Sequence, residues 1–168
     1  MKEVQLTKGL VALVDDADYS HVMAAGPWQG NPRNHTIYAQ RHVRRDGKET
    51  TQLLHRFLLG ISDPRVLVDH GDRNGLNCQR WNIRTATRSE NAANAGKCKG
   101  FTSKYRGGVY VRSSGMFHAR IKVDGKQVYL GSYWHEVNAA LAYDRAARFF
   151  YGAFASCNFP PTPTDRVA

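Results

Sequence analysis

A chain of 168 residues has room for one ordinary domain or two small ones. Its formal charge of +10, from 24 Lys+Arg against 14 Asp+Glu, favours a polyanionic partner, because each phosphate neutralised releases condensed counterions. Three cysteines without a C-x-x-C pair exclude a disulfide framework and a Cys-type zinc knuckle, and no apolar run is long enough for a signal peptide or a membrane span. The chain therefore reads as a soluble, cytoplasmic protein with reduced thiols and no membrane partner.

The opening is β-rich. Strands are expected over 4–6 and 11–14, a short helix over 16–24, then strands over 37–42 and 50–54 around the turn signal Asp46-Gly47. A brief helix over 53–59 precedes a β-branched strand over 66–68 that runs straight into Asp69-His70. After a polar loop over 71–80, a returning strand is expected over 82–85 and a helix over 87–95. The Gly/Lys-rich stretch 96–100 offers nothing apolar to bury and reads as a linker, giving domains at 1–97 and 101–160.

Beyond the linker, three strand patterns with turns at Ser113-Ser114-Gly115 and Asp124-Gly125 precede an Ala-rich helix over 135–151. Alternation assigns Val109, Val111, Phe117, Ala119, Ile121, Val128 and Leu130 to one face. Tyr110, Arg112, His118, Arg120, Lys122 and Tyr129 fall on the other. The first face is a core for the helix to cover; the second is a cationic, aromatic surface.

The stretch Val68-Asp69-His70, then Trp81-Asn82-Ile83-Arg84, then Arg88-Ser89-Glu90-Asn91 resembles the HNH endonuclease motif of phage and intron-encoded homing endonucleases. The resemblance implies a ββα-metal core at about 53–95, two antiparallel strands and a helix around one divalent cation. It implies Asp69 and Asn91 as oxygen ligands to Mg²⁺ or Mn²⁺, since hard cations prefer such donors. It makes His70 the general base that activates water, because an imidazole with an unperturbed pKa of about 6.5 suits that role near neutrality. Asn82 would accept from the other ring nitrogen and fix its tautomer. His55, in Leu54-His55-Arg56, matches an upstream His-Arg and takes a supporting role. Ile83 replaces the Leu usual after the central Asn, a mild change at a buried aliphatic.

Ser103-Lys104-Tyr105-Arg106-Gly107, Tyr129-Leu130-Gly131-Ser132-Tyr133, the run 139–147 (AALAYDRAA) and Asn158-Phe159-Pro160 resemble the ethylene-response-factor type of DNA-binding domain found in plant transcription factors. That resemblance implies a three-stranded antiparallel sheet covered by one helix, with the sheet entering the major groove of duplex DNA. By position Arg106, Tyr110, Arg112, Arg120, Lys122 and Tyr129 would touch DNA, Arg being suited to bidentate contact with guanine. The chain departs from the pattern at the additional glycine of Gly107-Gly108, at Val111-Arg112, and at His135 where a Thr cap is usual.

The resulting expectation is an α+β protein, a metal-dependent homing endonuclease that nicks or cleaves duplex DNA. Its DNA reader would act as a tether, in a monomer or a homodimer without an organic cofactor. Two further readings are a sequence-specific DNA-binding regulator with an inactive nuclease site, and an RNA-directed protein. Arg41, Arg44 and Arg45 offer an additional route by which the first 50 residues would touch DNA.

Overall fold

A computed structural model describes residues 1–33, 36–45, 47–96 and 102–160, without the side chain of Arg45; most of the expected linker, 97–100, lies outside the described residues. The chain divides into two compact units, Met1–Thr87 and Arg88–Ala168. The division falls before the helix that was expected to complete the first domain. No described helix is long and apolar enough to cross a membrane.

In the first unit, β1 (Lys2–Gln5) pairs antiparallel with β2 (Val11–Val14), and α1 (Asp16–Ala24) follows. A three-stranded antiparallel sheet is built from β3 (Gln29–Pro32), β4 (Ile37–Arg45) and β5 (Lys48–Leu53) in that order. The strand over Gln29–Pro32 was not expected, because a Gly-Asn-Pro run carries strand-breaking residues; edge position makes its proline tolerable. Then come α2 (Leu54–Leu58) and the antiparallel pair β6 (Leu67–His70) and β7 (Ile83–Ala86). One core holds the unit together, with Val4, Ala12, Val14, Val22, Leu54 and Cys78 fully buried.

The polar loop between β6 and β7 is held to β2 by backbone bonds, Leu13 N to Leu76 O and Cys78 N to Leu13 O, each 2.8 Å. The Asp15 carboxylate, instead of capping α1, accepts from Arg80 N at 2.7 Å and Gln79 Nε2 at 3.2 Å. Arg41 is built into the unit. Its guanidinium donates twice to Gln52 Oε1 (3.0 and 2.8 Å) and to Ala25 O, and lies over the rings of Trp28 and Phe57.

The second unit begins with α3 (Arg88–Asn94), which packs with the helix α4 (Glu136–Tyr151) and with the 3-10 turn Gly152–Phe154 that follows it. An antiparallel sheet in the order β10-β9-β8 is made by β8 (Gly108–Val111), β9 (Met116–Val123) and β10 (Lys126–Tyr133). The long helix α4 (Glu136–Tyr151) covers one face. Its Ala139, Ala140 and Ala147 are at most 1% exposed, and such small side chains let a helix axis come close to a sheet. Ala119 and Ile121 of β9 meet α4 there, with Phe117, Val128, Leu130 and Tyr133 around them.

Two local features set which side chains face away from α4. A bulge between Tyr129 and Gly131 (φ +126°) places Leu130 in the core and restarts the alternation. Ser132 then stands opposite His118, and Tyr133 opposite Phe117. The second feature corrects the expected sorting of β8. Its register is Gly108 opposite Ala119, Val109 opposite His118, Tyr110 opposite Phe117 and Val111 opposite Met116. Directly opposed residues share a face, so Tyr110 lies on the α4 side and Val109 and Val111 on the other. The ring of Tyr110 packs 5.1 Å from that of Phe117. Alternation within β8 fixes only that its side chains divide between two faces; the pairing with β9 decides which face meets α4.

Gly107 supports that register. Its carbonyl accepts from Arg120 N at 2.8 Å, its φ is +78°, and a Cβ there would stand 1.9 Å from the Tyr143 ring. Only glycine combines that backbone conformation with that approach.

Candidate nucleic-acid interface

The sheet face turned away from α4 carries, on β9, His118, Arg120 and Lys122, with Tyr129 and Gln127 of β10 opposite Arg120 and Lys122. Alternation along β9 puts these residues on one side while Ala119 and Ile121 fill the core on the other. Tyr129 is 56% exposed and Lys122 is exposed. The Tyr129 hydroxyl lies 2.5 Å from Ser132 Oγ, and its ring meets His118 edge-on at 5.6 Å. His118 Nδ1 is buried with no hydrogen-bond partner among the described residues. Arg112 is exposed in the turn that leaves β8. A planar cation, a point cation and an aromatic ring thus stand side by side on an open sheet, an arrangement suited to a polyanion with flat, polar bases.

Arg106, expected to touch DNA, is placed otherwise. Its guanidinium donates to Ala92 O at 2.8 Å and to Ala95 O, and sits 5.8 Å above the Tyr143 ring. Those carbonyls end α3 and would otherwise lack intrahelical donors, so Arg106 caps that helix. Its backbone is tied to Asn158, which accepts from Arg106 N at 2.7 Å and donates back to Arg106 O at 3.1 Å. Asp144, fully buried, gathers Asn158 N, Asn158 Nδ2 and Phe159 N at 2.8 to 3.0 Å. The Asn-Phe pair recognised in the sequence is therefore a closure of the domain against α4.

In the first unit the residues of the expected nuclease site are held as follows. Asp69, 5% exposed, pairs with Arg84, whose Nε and Nη2 reach Oδ2 at 3.0 and 2.8 Å. Its charge is thus matched by a guanidinium. Asn82 accepts from Asp72 N at 2.9 Å and donates to Asp72 Oδ1 (2.9 Å) and Asn77 O (2.7 Å). The amide expected to orient His70 instead staples the loop between β6 and β7.

Those contacts also act on Asp72. Burial works to raise its carboxyl, but hydrogen bonds from Asn74 N, Asn77 and Asn82 outweigh it and hold the group below the usual range.

His70 and His55 do meet, ring centroids 4.9 Å apart and edge to face, with Tyr38 at 5.4 Å from His55 and 5.6 Å from His70. Burial lowers the pKa of His55 to about 3, helped by the neighbouring His70 and Arg56. Burial also lowers that of His70, with Asp72 and Asp69 opposing. Asn91 is exposed on α3 in the second unit. Among the described residues no group of three or more His, Cys, Asp or Glu could hold a metal ion.

A three-stranded sheet backed by one alanine-rich helix, with a cationic outer face, defines the class of the second unit. Comparison with known proteins leads to the same class. Over 58 residues the chain is 47% identical to "APETALA2-like protein 2" of Oryza sativa, in both subspecies indica and japonica, covering 34% of this chain and 13% of the relative. At the same identity and length it matches "AP2-like ethylene-responsive transcription factor TOE2" of Arabidopsis thaliana, 12% of which is covered. The chain thus spans about an eighth of the length of these relatives. No protein-family model matches it.

These relatives support an AP2-type domain and correct the expectation of an enzyme. A protein named as a transcription factor is not an enzyme, and nothing in the match supports an HNH nuclease.

Proposed function

We propose that this chain is a sequence-specific DNA-binding regulator whose β8–β10 sheet enters the major groove of duplex DNA. The observation that carries the reading is the side-by-side placement of Arg120, Lys122 and Tyr129 on the face opposite α4. The net charge of +10 and the likeness to proteins named as AP2-like support it. A major groove about 12 Å wide admits a β-ribbon, and the fork of an Arg matches the O6 and N7 acceptors of guanine. Arg120 is flanked by Ala119 and Ile121 in the core, which anchor its strand for such a contact. Lys122, a flexible point charge, and Arg112, in the exposed turn, serve phosphates on either side.

Selection of duplexes from a random pool by the full chain, followed by fluorescence anisotropy on the selected site, tests the reading. Arg120→Ala is expected to weaken binding roughly 5- to 150-fold and to relax specificity at one base pair. Lys122→Ala should weaken all sequences alike and lower the salt slope by about one. Failure to enrich any sequence, or affinity indifferent to both substitutions, would rule the proposal out.

A further inference from the structure

The register of β8 places side chains on the groove face that neither charge nor hydrogen bonding explains. Val109 and Val111 stand opposite His118 and Met116, on the side away from α4. Neither valine, nor Met116, belongs to the clusters that α4 packs against. All three are half-buried. Because β8 is the edge of the sheet, they form an apolar strip along one margin, and the cations and Tyr129 of β9 and β10 occupy the rest. Apolar groups gain nothing from phosphate or from the polar edges of guanine, cytosine and adenine. Thymine alone among the four standard bases presents an apolar group in the major groove, its C5-methyl.

Resting on the DNA-binding reading above, we propose that Val109, Val111 and Met116 form a methyl-reading strip that selects thymine at one end of the recognised site. Arg120 and Lys122 lie toward the other side of the same face. The two parts of the sheet thereby read different chemistry: methyl groups at the β8 margin, and hydrogen-bond acceptors and phosphates toward β10. The register of β8 against β9 is what sets this specificity. With the alternation shifted by one, Tyr110 would occupy the margin and both valines would face α4.

The experiment uses the full chain and the selected duplex, with each thymine replaced in turn by uracil, which deletes the methyl and leaves the Watson–Crick and groove acceptors in place. One or two adjacent positions are expected to lose about fourfold in affinity per methyl. That loss should vanish in the double variant Val109→Ser, Val111→Ser. Circular dichroism and thermal unfolding establish that the variant is folded; if it is not, the uracil series on the wild-type chain decides alone. Wild-type affinity indifferent to uracil at every position, with Arg120→Ala still weakening binding, overturns the strip and leaves the DNA-binding reading standing. Uracil-indifferent binding that rises when a cytosine is replaced by 5-methylcytosine overturns thymine as the source of the methyl. A chain that binds no selected duplex removes both readings together.

Discussion

The two units use chemically capable side chains in opposite ways. In the first, Asp69, Asn82 and Asp72 have the functional groups of a hydrolytic site, yet Asp69 faces Arg84, and Asn82 and Asp72 bond one another across a loop. In the second, bland residues hold the decisive positions. Val109 and Val111 stand on the open face through their register against β9, while an arginine of the expected contact set closes a helix. Residue type sets what a position is able to do; the partner within reach decides what it does.

The sharpest way to break this contrast is at Gly107. Gly107→Ala places a methyl within the Tyr143 ring at a φ of +78° and should destabilise the second unit by about 4 kcal/mol, measured by denaturant unfolding. A loss under about 1 kcal/mol would mean that the register of β8 does not depend on that close approach.

At the loop of the first unit, Asn82→Ala orphans Asp72 N and Asn77 O and should cost about 2 to 3 kcal/mol. The same substitution should leave DNA affinity per folded molecule unchanged, which an active-site titration of binding-competent protein checks.

His55 supplies a third handle through pH. Its imidazole is held neutral in the folded chain, with a pKa of about 3, while the unfolded chain binds a proton near 6.5. The unfolded state therefore gains protons first. Stability is complete above about pH 6.5 and falls as pH drops toward 3, by up to about 1.4 kcal/mol per pH unit. Replacement by Phe should flatten that dependence between pH 6.5 and 5, and an unchanged slope in the variant would place the titrating group elsewhere. The smallest expected effect is at Arg106, where Arg106→Gln removes the cap of α3 and should cost about 1 kcal/mol, with DNA affinity altered less than twofold. A tenfold loss of affinity with full stability would return Arg106 to the contact set.

Much of the fold was legible because periodicity and turn residues act locally. The helix expected over 16–24 is α1 as observed, and the strand ending on Asp69-His70 is β6. Four things were not. Alternation in β8 states that two faces exist without stating which is buried; only the register against β9, fixed around Gly107, decides. The bulge at Leu130-Gly131 had a signal, a glycine inside a strand pattern, and it returns Tyr133 to the core.

The third is the assignment of amides and carboxylates. Asn82 and Asp69 were recognisable as a motif, but their partners come from residues brought together only by folding. Asp72 reaches Asn82 across 10 positions and Arg84 reaches Asp69 across 15. The division between units was likewise hidden, because the packing of α3 with α4 is a tertiary preference that no linker composition reveals.

Amide chemical-shift mapping of the full chain on addition of its selected duplex tests the central claim most directly. Large shifts should cluster on His118, Arg120, Lys122, Tyr129 and the two valines of β8, with Tyr110, Arg106 and the strands around Arg41 and Arg44 little moved. Shifts centred instead on β4 and β5 of the first unit, with the outer face of β8–β10 silent, would contradict it.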